Sequence, residues 1–479
     1  MKAKPLLIGG EWIETSHAAE NVNPSDTSDI IASYCKAGVA ETQSAIQAAK
    51  AAFDTWSHST PQQRHDVLKF VGDEILARKE EIGELLSREE GKTLAEGVGE
   101  TVRAAQIFDF FAGEALRLTG DIVPSVRPAL SVEVTREPVG VVGVIAPWNF
   151  PIAIPSWKIA PAICYGNTVV FKPAELVPGC SWAVAEILSR SGLPDGVFNL
   201  VYGPGSVVGQ ELVDNKNVDA ISFTGSQATG NRVAQGCVDN MRKFQLEMGG
   251  KNPLVVLDDA NIETAVECAL NGAFYSTGQR CTASSRLIVT EGIHNKFVGE
   301  LVERMRNLKV GHALNHETDI GPVVDQTQLE QDLGYIEIAR REGGSIRHGG
   351  ELLKRETKGF YLSPALIAET SNDMRINREE VFGPVASVIR VKDYEDALEV
   401  ANDTEFGLSA GICTSSLKHA THFKRNVQAG MAMVNVPTAG VDYHVPFGGA
   451  KGSSYGPREQ GTYAREFFTT IKTAYTKAN

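Results

Sequence analysis

Cys281 lies at the centre of residues 276–286, a run of Ser, Thr, Gly, Gln, Arg, Cys, Thr, Ala, Ser, Ser and Arg. A free cysteine usually acts as a small buried hydrophobe. These neighbours pack poorly in a core, but they can bend a chain and present amide donors. Cys281 therefore reads as a nucleophile, and a thiol of ordinary pKa, about 8.5, needs a base or a positive surrounding to act at neutral pH. Three other turns suit a dinucleotide. Gly203 to Gly209, which includes Gly205, follows a strand and opens a helix, but its spacing is one residue longer than the usual fingerprint, so a plain tight turn competes. Phe223, Thr224, Gly225 and Ser226, with Gly230, form a strand-to-helix turn whose amides favour a phosphate. Lys172 to Glu175 ends another strand, and Glu175 can accept hydrogen bonds from a ribose hydroxyl.

The elements that must position these residues are legible from periodicity. Residues 41–118 recur in apolar character at three and four, punctuated by Pro61 and Gly91, and predict helix. Residues 124–138 switch to alternation at Leu130, Val132 and Val134, a half-buried strand. From Val139 onward, short apolar strands (141–145, 168–171, 197–201, 220–223, 243–246) alternate with helices (154–165, 181–191, 207–213, 228–238). Continuous apolar strands between helices imply βαβ units and a parallel, doubly wound sheet that binds ligands at its strand ends. A second α/β block starts at Pro253, with strands at 254–257, 287–289, 360–362, 385–391 and 431–436. Residues 466–475 alternate again, predicting a strand that partners the 130s strand within or between subunits.

Composition limits the rest. At 479 residues the chain is long for one core, so two or three domains are expected. With 46 basic and 59 acidic residues its net charge of -13 disfavours nucleic acid or an anionic membrane as partner. No apolar run approaches the roughly 20 residues of a membrane span, and Leu6, Leu7 and Ile8 are too short a core for a signal peptide. The seven cysteines show no metal-ligand spacing, so no metal is expected and a reducing, cytoplasmic compartment is.

Six separated motifs carry a resemblance. Pro147-Trp148-Asn149-Phe150-Pro151, Phe223-Thr224-Gly225-Ser226, Leu246-Glu247-Met248-Gly249-Gly250-Lys251, Gly278-Gln279-Arg280-Cys281, Glu380-Val381-Phe382-Gly383-Pro384 and Pro446-Phe447-Gly448-Gly449 follow one another along the chain. In that order they resemble the aldehyde dehydrogenase superfamily across essentially the whole chain. The resemblance implies a Rossmann-like cofactor domain (1–120 and 140–247), an α/β catalytic domain (248–446), and a small β oligomerisation element (121–139 and 462–479). It implies Cys281 as nucleophile, Glu247 as general base and Asn149 as side-chain donor of an oxyanion hole. Lys158 and Glu459 match a proton relay, for which a surface ion pair is the competing explanation. Ile145, Pro147, Trp148, Lys172, Glu175, Gly205, Phe223, Gly225, Ser226, Met248, Glu380 and Phe382 match the cofactor set. Glu175 would repel a 2′-phosphate, which suggests NAD, with NADP possible.

The longer agreement around residues 152–161, 276–286 and 451–473 looks like the branch acting on α-ketoglutaric semialdehyde (2,5-dioxovalerate). The implied reaction is NAD(P)-dependent oxidation of an aldehyde to a carboxylic acid through a cysteine thiohemiacetal and thioester. Arg280, Phe150 and Phe447 are the expected substrate contacts, Arg280 through the substrate carboxylate or else as a brace for its loop. Succinic semialdehyde and aliphatic or aromatic aldehydes are the alternative substrates. Transfer of the acyl group to CoA, and a non-catalytic binding protein on the same fold, are the other classes. A small-molecule aldehyde and further copies of the chain, as a dimer or tetramer, are the expected partners.

Overall fold

The computed structural model describes residues 2–477. Two sheets dominate. The first has eight strands, in spatial order Glu11–Ile13, Leu6–Ile8, Phe198–Leu200, Thr168–Lys172, Val141–Ile145, Ala220–Thr224, Lys243–Glu247 and Ser454–Tyr455. Its five central strands are parallel, as continuous apolar runs between helices require. The second sheet has seven strands, in order Ser345–His348, Ala365–Thr370, Val385–Val391, Arg286–Thr290, Pro253–Val256, Ser409–Cys413 and Met431–Val434, parallel apart from the first. A third sheet pairs Thr469–Lys477, Leu130–Pro138 and Asp121–Pro124.

The two large sheets meet end to end. Lys243–Glu247 ends at its carboxyl terminus, and after five intervening residues Pro253–Val256 begins the second sheet. The carboxyl ends of the first sheet therefore face the amino ends of the second. Register lines up the first set: Ile145 lies opposite Lys172 and Phe223, and Thr224 opposite Glu247.

The helical region comprises Val39–Ser57, Pro61–Ala77, Lys79–Glu90 and Leu94–Ala115. Pro61 opens the second helix after a Thr60 cap, and Gly91 closes the third with φ of 95°. Thr93 and Glu96 form a capping box for the fourth, which contributes about 1 kcal/mol to a helix start. Phe108 and Phe111 of that helix are buried against Ile159 and Ile163 of Ala153–Cys164 in one core.

Three expectations are corrected. Residues 124–138 are not one strand, because Pro124 ends Asp121–Pro124 and a turn with Ala129 at φ 60° precedes Leu130–Pro138. The tail strand starts later than 466, because Phe467 and Phe468 are both buried and one strand face cannot bury consecutive side chains, so Arg465–Phe468 forms a helical turn. That strand pairs with Leu130–Pro138 within the chain, while residues 478 and 479 lie outside the described ones. Residues 360–362 make only a bridge between Leu352 and Leu362, next to Pro364, which has no N–H to continue a ladder. Four strands between Leu6 and Cys35 carried no periodic signal: the first two are three residues long, joined by Gly9 and Gly10 at positive φ.

Among the described residues, no helix is long and apolar enough to cross a membrane.

Candidate active site

The loop carrying Cys281 is held under backbone strain. Ser276, Thr277 and Gly278 take φ of 52°, 55° and 65°, a conformation a β-branched residue such as Thr277 rarely adopts. The surroundings enforce it. Glu96, already in the capping box, accepts hydrogen bonds from the Ser276 N–H at 2.8 Å and its hydroxyl at 3.0 Å. Thr277 Oγ1 donates to the Gly321 carbonyl at 3.2 Å, and a Cβ on Gly278 would collide with the Gly383 carbonyl. Beyond the thiol, Asn252 Nδ2 donates to the carbonyls of Cys281 at 2.7 Å and Ala283 at 2.9 Å.

Cys281 is half-buried and lines two cavities at once. Burial, with the nearby Glu247 and Glu380 carboxylates, pushes its thiol up to about 12, while the amides of Cys281 and Thr282 pull the other way. The resting sulfur is therefore a protonated thiol that needs a base.

Asn149 is buried, and its Nδ2 donates to the Gln279 carbonyl at 2.9 Å, leaving its second hydrogen uncommitted beside Cys281. Its own carbonyl is held by Lys92 Nζ. Glu247, at the end of Lys243–Glu247, is buried and lines neither cavity: Ser454 Oγ donates to its Oε2 at 2.6 Å. Burial and the Glu459 charge hold the Glu247 carboxyl well above the usual carboxylate range.

Lys158 and Glu459 form an ion pair at 0% and 1% exposure, which rules out the surface alternative. Lys158 Nζ also donates to Ser222 Oγ at 2.9 Å, and Gln245 Nε2 to Ser222 Oγ at 2.8 Å and to Glu459 Oε1 at 3.1 Å. Glu459 Oε2 has no partner and is shut off from solvent. Removing one member of such a buried pair costs about 3–5 kcal/mol, so its substitution tests stability as much as chemistry.

The second cavity, about 250 Å³, holds Pro147, Trp148, Asn149, Gly225, Ser226, Met248, Glu380 and Phe382 with Cys281. Trp148 and Phe382 meet edge to face at 5.4 Å. Glu380 Oε1 accepts the Gly250 N–H at 2.8 Å, and a Cβ on Gly249 would strike the Glu380 carboxylate. Burial raises Glu380 to about 7 and lowers neighbouring Lys251 to about 7. Thr224 Oγ1 lines this cavity, buried without a partner, next to the start of the helix Gln227–Asp239. A polar ligand with an anionic group fits that set.

Ile145, Lys172, Glu175, Gly205 and Phe223 lie outside this cavity. Ile145 and Lys172 are neighbours in register, and burial lowers the Lys172 ammonium to about 8. Glu175 lies 3.9 Å from Lys36 Nζ. Gly205 opens a widened helical turn whose Gly209 approaches the Lys172 chain. The Phe223 ring lies beneath Gly225 and Gly230, supporting the turn from below.

The first cavity, about 360 Å³, contains Phe150, Phe447, Arg280 and Cys281. Arg280 faces the same space as its neighbour Cys281, and its guanidinium also donates to the carbonyls of Asn271 and, at 3.4 Å, Gly272. Sequence reading missed Lys92, Arg103 and Trp157 in this wall. It also missed Ser454, Ser222 and Gln245 around the carboxylates, whose partners are distant in sequence. Only the spacing of Glu96, Gly99, Glu100 and Arg103 along one helix face could have flagged any of them.

A family model described as the aldehyde dehydrogenase family matches residues 12–474. The chain is 44% identical over 477 residues to the alpha-ketoglutaric semialdehyde dehydrogenase of Bacillus subtilis (strain 168), covering 98% of this chain and 97% of the relative. It is 39% identical over 475 residues to a 2,5-dioxopentanoate dehydrogenase of Saccharolobus solfataricus, covering 98% of each. The crystal structure of betaine aldehyde dehydrogenase from Staphylococcus aureus in complex with NAD+ superposes with a TM-score of 0.97 at 33% identity, covering 100% of this chain and 95% of that one. With one thiol lining two cavities at once, and with these full-length matches, the chain belongs to the aldehyde dehydrogenase family.

Proposed function

We propose that the chain oxidises α-ketoglutaric semialdehyde to α-ketoglutarate with NAD. The observation that carries the reading is the opening of both cavities onto Cys281, one walled by Phe150, Phe447 and Arg280, the other by the residues proposed to hold the cofactor. The similarity to semialdehyde and dioxopentanoate dehydrogenases supports the substrate class.

The residues divide the work as follows. Glu247 takes the thiol proton after its carboxylate leaves Ser454, or through an intervening water. Cys281 Sγ then adds to the aldehyde carbon, and the new alkoxide is held by Asn149 Nδ2 and the Cys281 N–H. Bound NAD supplies the acceptor for the hydride that leaves this carbon. Glu247 next activates the water that hydrolyses the resulting thioester, releasing the carboxylic acid and the thiol. Lys158 and Glu459 carry the proton away, and the unpartnered Glu459 Oε2 supports that role. Asn149→Ala is expected to lower kcat by about 10²–10³-fold with a smaller change in KM, as removal of an oxyanion donor does. Steady-state kinetics of the purified variant check it, and a loss confined to KM would remove Asn149 from the oxyanion hole.

For the cofactor, Trp148, Ser226, Glu380 and Phe382 would hold the nicotinamide and phosphate side, with Lys172 and Glu175 at the adenosine ribose. The Glu175 carboxylate favours NAD, while Lys36 and Lys172 beside it leave NADP admissible. The domain assignment (1–120 and 140–247, 248–446, 121–139 with 462–479) is supported by the separation of the two large sheets and the three-stranded one. Ile122, Ile471 and Tyr475 of the third sheet are exposed apolar residues, which supports assembly into a dimer or tetramer. Light scattering checks it. Seven free cysteines support a reducing, cytoplasmic setting.

The substrate reading is tested by kcat/KM for α-ketoglutaric semialdehyde, succinic semialdehyde and octanal, each with NAD and NADP. A preference of at least about tenfold for the two carboxylate substrates over octanal is expected from one charge-assisted contact. Indifference to the terminal carboxylate would sink it.

A further inference from the structure

We propose that Arg103, together with Arg280, forms an anion subsite in the wall of the substrate cavity that takes the 2-oxocarboxylate end of the substrate. The proposal rests on the α-ketoglutaric semialdehyde reading for its ligand and on geometry for its place.

Glu96, Gly99, Glu100 and Arg103 fall at helical spacings of three and four along Leu94–Ala115, so one face of that helix looks into the cavity. Five charged side chains line that space: Lys92, Glu96, Glu100, Arg103 and Arg280. Three of them are spent within the protein. Glu96 accepts from Thr93 and from Ser276. Glu100 accepts from Lys92 at 2.8 Å and from the amides of Ile152 and Ala153, each at 3.1 Å. Lys92 in turn holds the Asn149 carbonyl.

The two guanidiniums have no carboxylate of their own, although Arg280 Nη2 donates to the carbonyls of Asn271 and, at 3.4 Å, Gly272. Among the described residues neither makes an ion pair with a carboxylate within 4.0 Å, and the Nε of each is buried without a partner. Arg103 makes one hydrogen bond through its side chain, from Nη2 to Gln460 Oε1 at 3.3 Å, and its Cζ lies 5.9 Å from the centre of the Trp157 ring. The carboxylates whose charge reaches it are Glu100, already bonded, and Asp442, exposed at the surface. Arg280 feels Glu96, also already bonded. A guanidinium stays charged in a protein, so two half-buried forks, each with its Nε shut off from solvent and without a carboxylate, are costly until an anion arrives.

A 2-oxocarboxylate suits both. Its carboxylate matches one fork in two parallel hydrogen bonds, and the adjacent carbonyl oxygen offers an acceptor to the second. Gly99 keeps the space beside Arg103 open, since nothing lies within 4 Å of where its Cβ would stand. The apolar stretch from Phe150 to Phe447 is left for the methylene chain that leads to Cys281.

The experiment compares wild type, Arg103→Met and Arg103→Lys on α-ketoglutaric semialdehyde and on pentanal, an uncharged aldehyde of equal chain length. It also measures glutarate as competitor of pentanal. Arg103→Met is expected to lower the ratio of kcat/KM, acid over pentanal, by about tenfold to a hundredfold, chiefly through KM, and to raise the glutarate inhibition constant by a similar factor. Arg103→Lys, which keeps the charge but not the fork, should lose less. Equal losses on both substrates with unchanged glutarate inhibition, or a wild type that glutarate does not inhibit, would overturn the subsite. A wild type that treats acid and pentanal alike, yet is inhibited by glutarate until Arg103 is replaced, would leave the subsite standing and bring down the substrate assignment instead.

Discussion

Cys281→Ser is expected to lower NADH production from aldehydes by on the order of 10⁴-fold, the loss typical when a covalent nucleophile is removed. The substitution is nearly isosteric, and the loop around it is held by other residues: Glu96 on Ser276, Gly321 on Thr277 and Asn252 on the Cys281 carbonyl. The fold and both cavities should therefore survive. What disappears is a group whose deprotonated form is a strong nucleophile; a serine hydroxyl in the same place is far harder to ionise. Absorbance of NADH with a panel of aldehydes measures the effect, and thermal unfolding shows that the fold is intact. A variant that kept a tenth of wild-type activity would end the thioester mechanism.

Glu247→Gln should cost about 10²–10⁴-fold in turnover, the range for a positioned general base. The sign of its pH dependence follows from its surroundings. Burial and Glu459 raise the Glu247 carboxyl, so below that raised pKa it is protonated and cannot accept a proton. Activity therefore climbs with pH as Glu247 ionises, and glutamine abolishes that limb. Burial with the Glu247 and Glu380 carboxylates pushes the Cys281 thiol up to about 12, so it too stays protonated at neutral pH. Linkage runs the opposite way for stability: a carboxyl raised by burial is most favourable to folding when protonated, and ionising it destabilises the native state as pH rises. Glutamine removes that burden and can still accept from Ser454, so lost rate is not lost fold. If Glu247 serves the hydrolytic step, the variant should also give a burst of about one NADH per site before a slow phase. A variant with wild-type turnover and an unchanged pH profile would remove Glu247 from the reaction.

Much of the candidate site was legible in the sequence, for a local reason. Strand-end turns, glycine spacing and the polar company of Cys281 are properties of short segments, and six such segments in one order narrow the family strongly. The parallel sheet was legible too, because continuous apolar strands between helices have few other solutions. Weakly patterned segments were not. Leu6–Ile8 is too short to show a period, and Phe467 falls in with the alternation of Thr469, Ile471 and Thr473 until burial shows its neighbour Phe468 facing inward as well.

The sequence alone determined the chemistry available to this protein: a thiol in polar surroundings, carboxylates and an amide in recognisable motifs, and turns suited to a dinucleotide. Tertiary structure decided which of these groups meet. Side-chain direction is set by packing between segments far apart in the chain. So only the fold shows that Glu247 is tied to Ser454, 207 residues away. Only the fold shows Lys158 and Glu459 paired in the interior rather than at the surface. The same holds for Arg103, unremarkable on its helix until Glu96, Glu100 and Lys92 are seen to bond elsewhere. That leaves its charge beside Arg280 in the cavity that ends at Cys281.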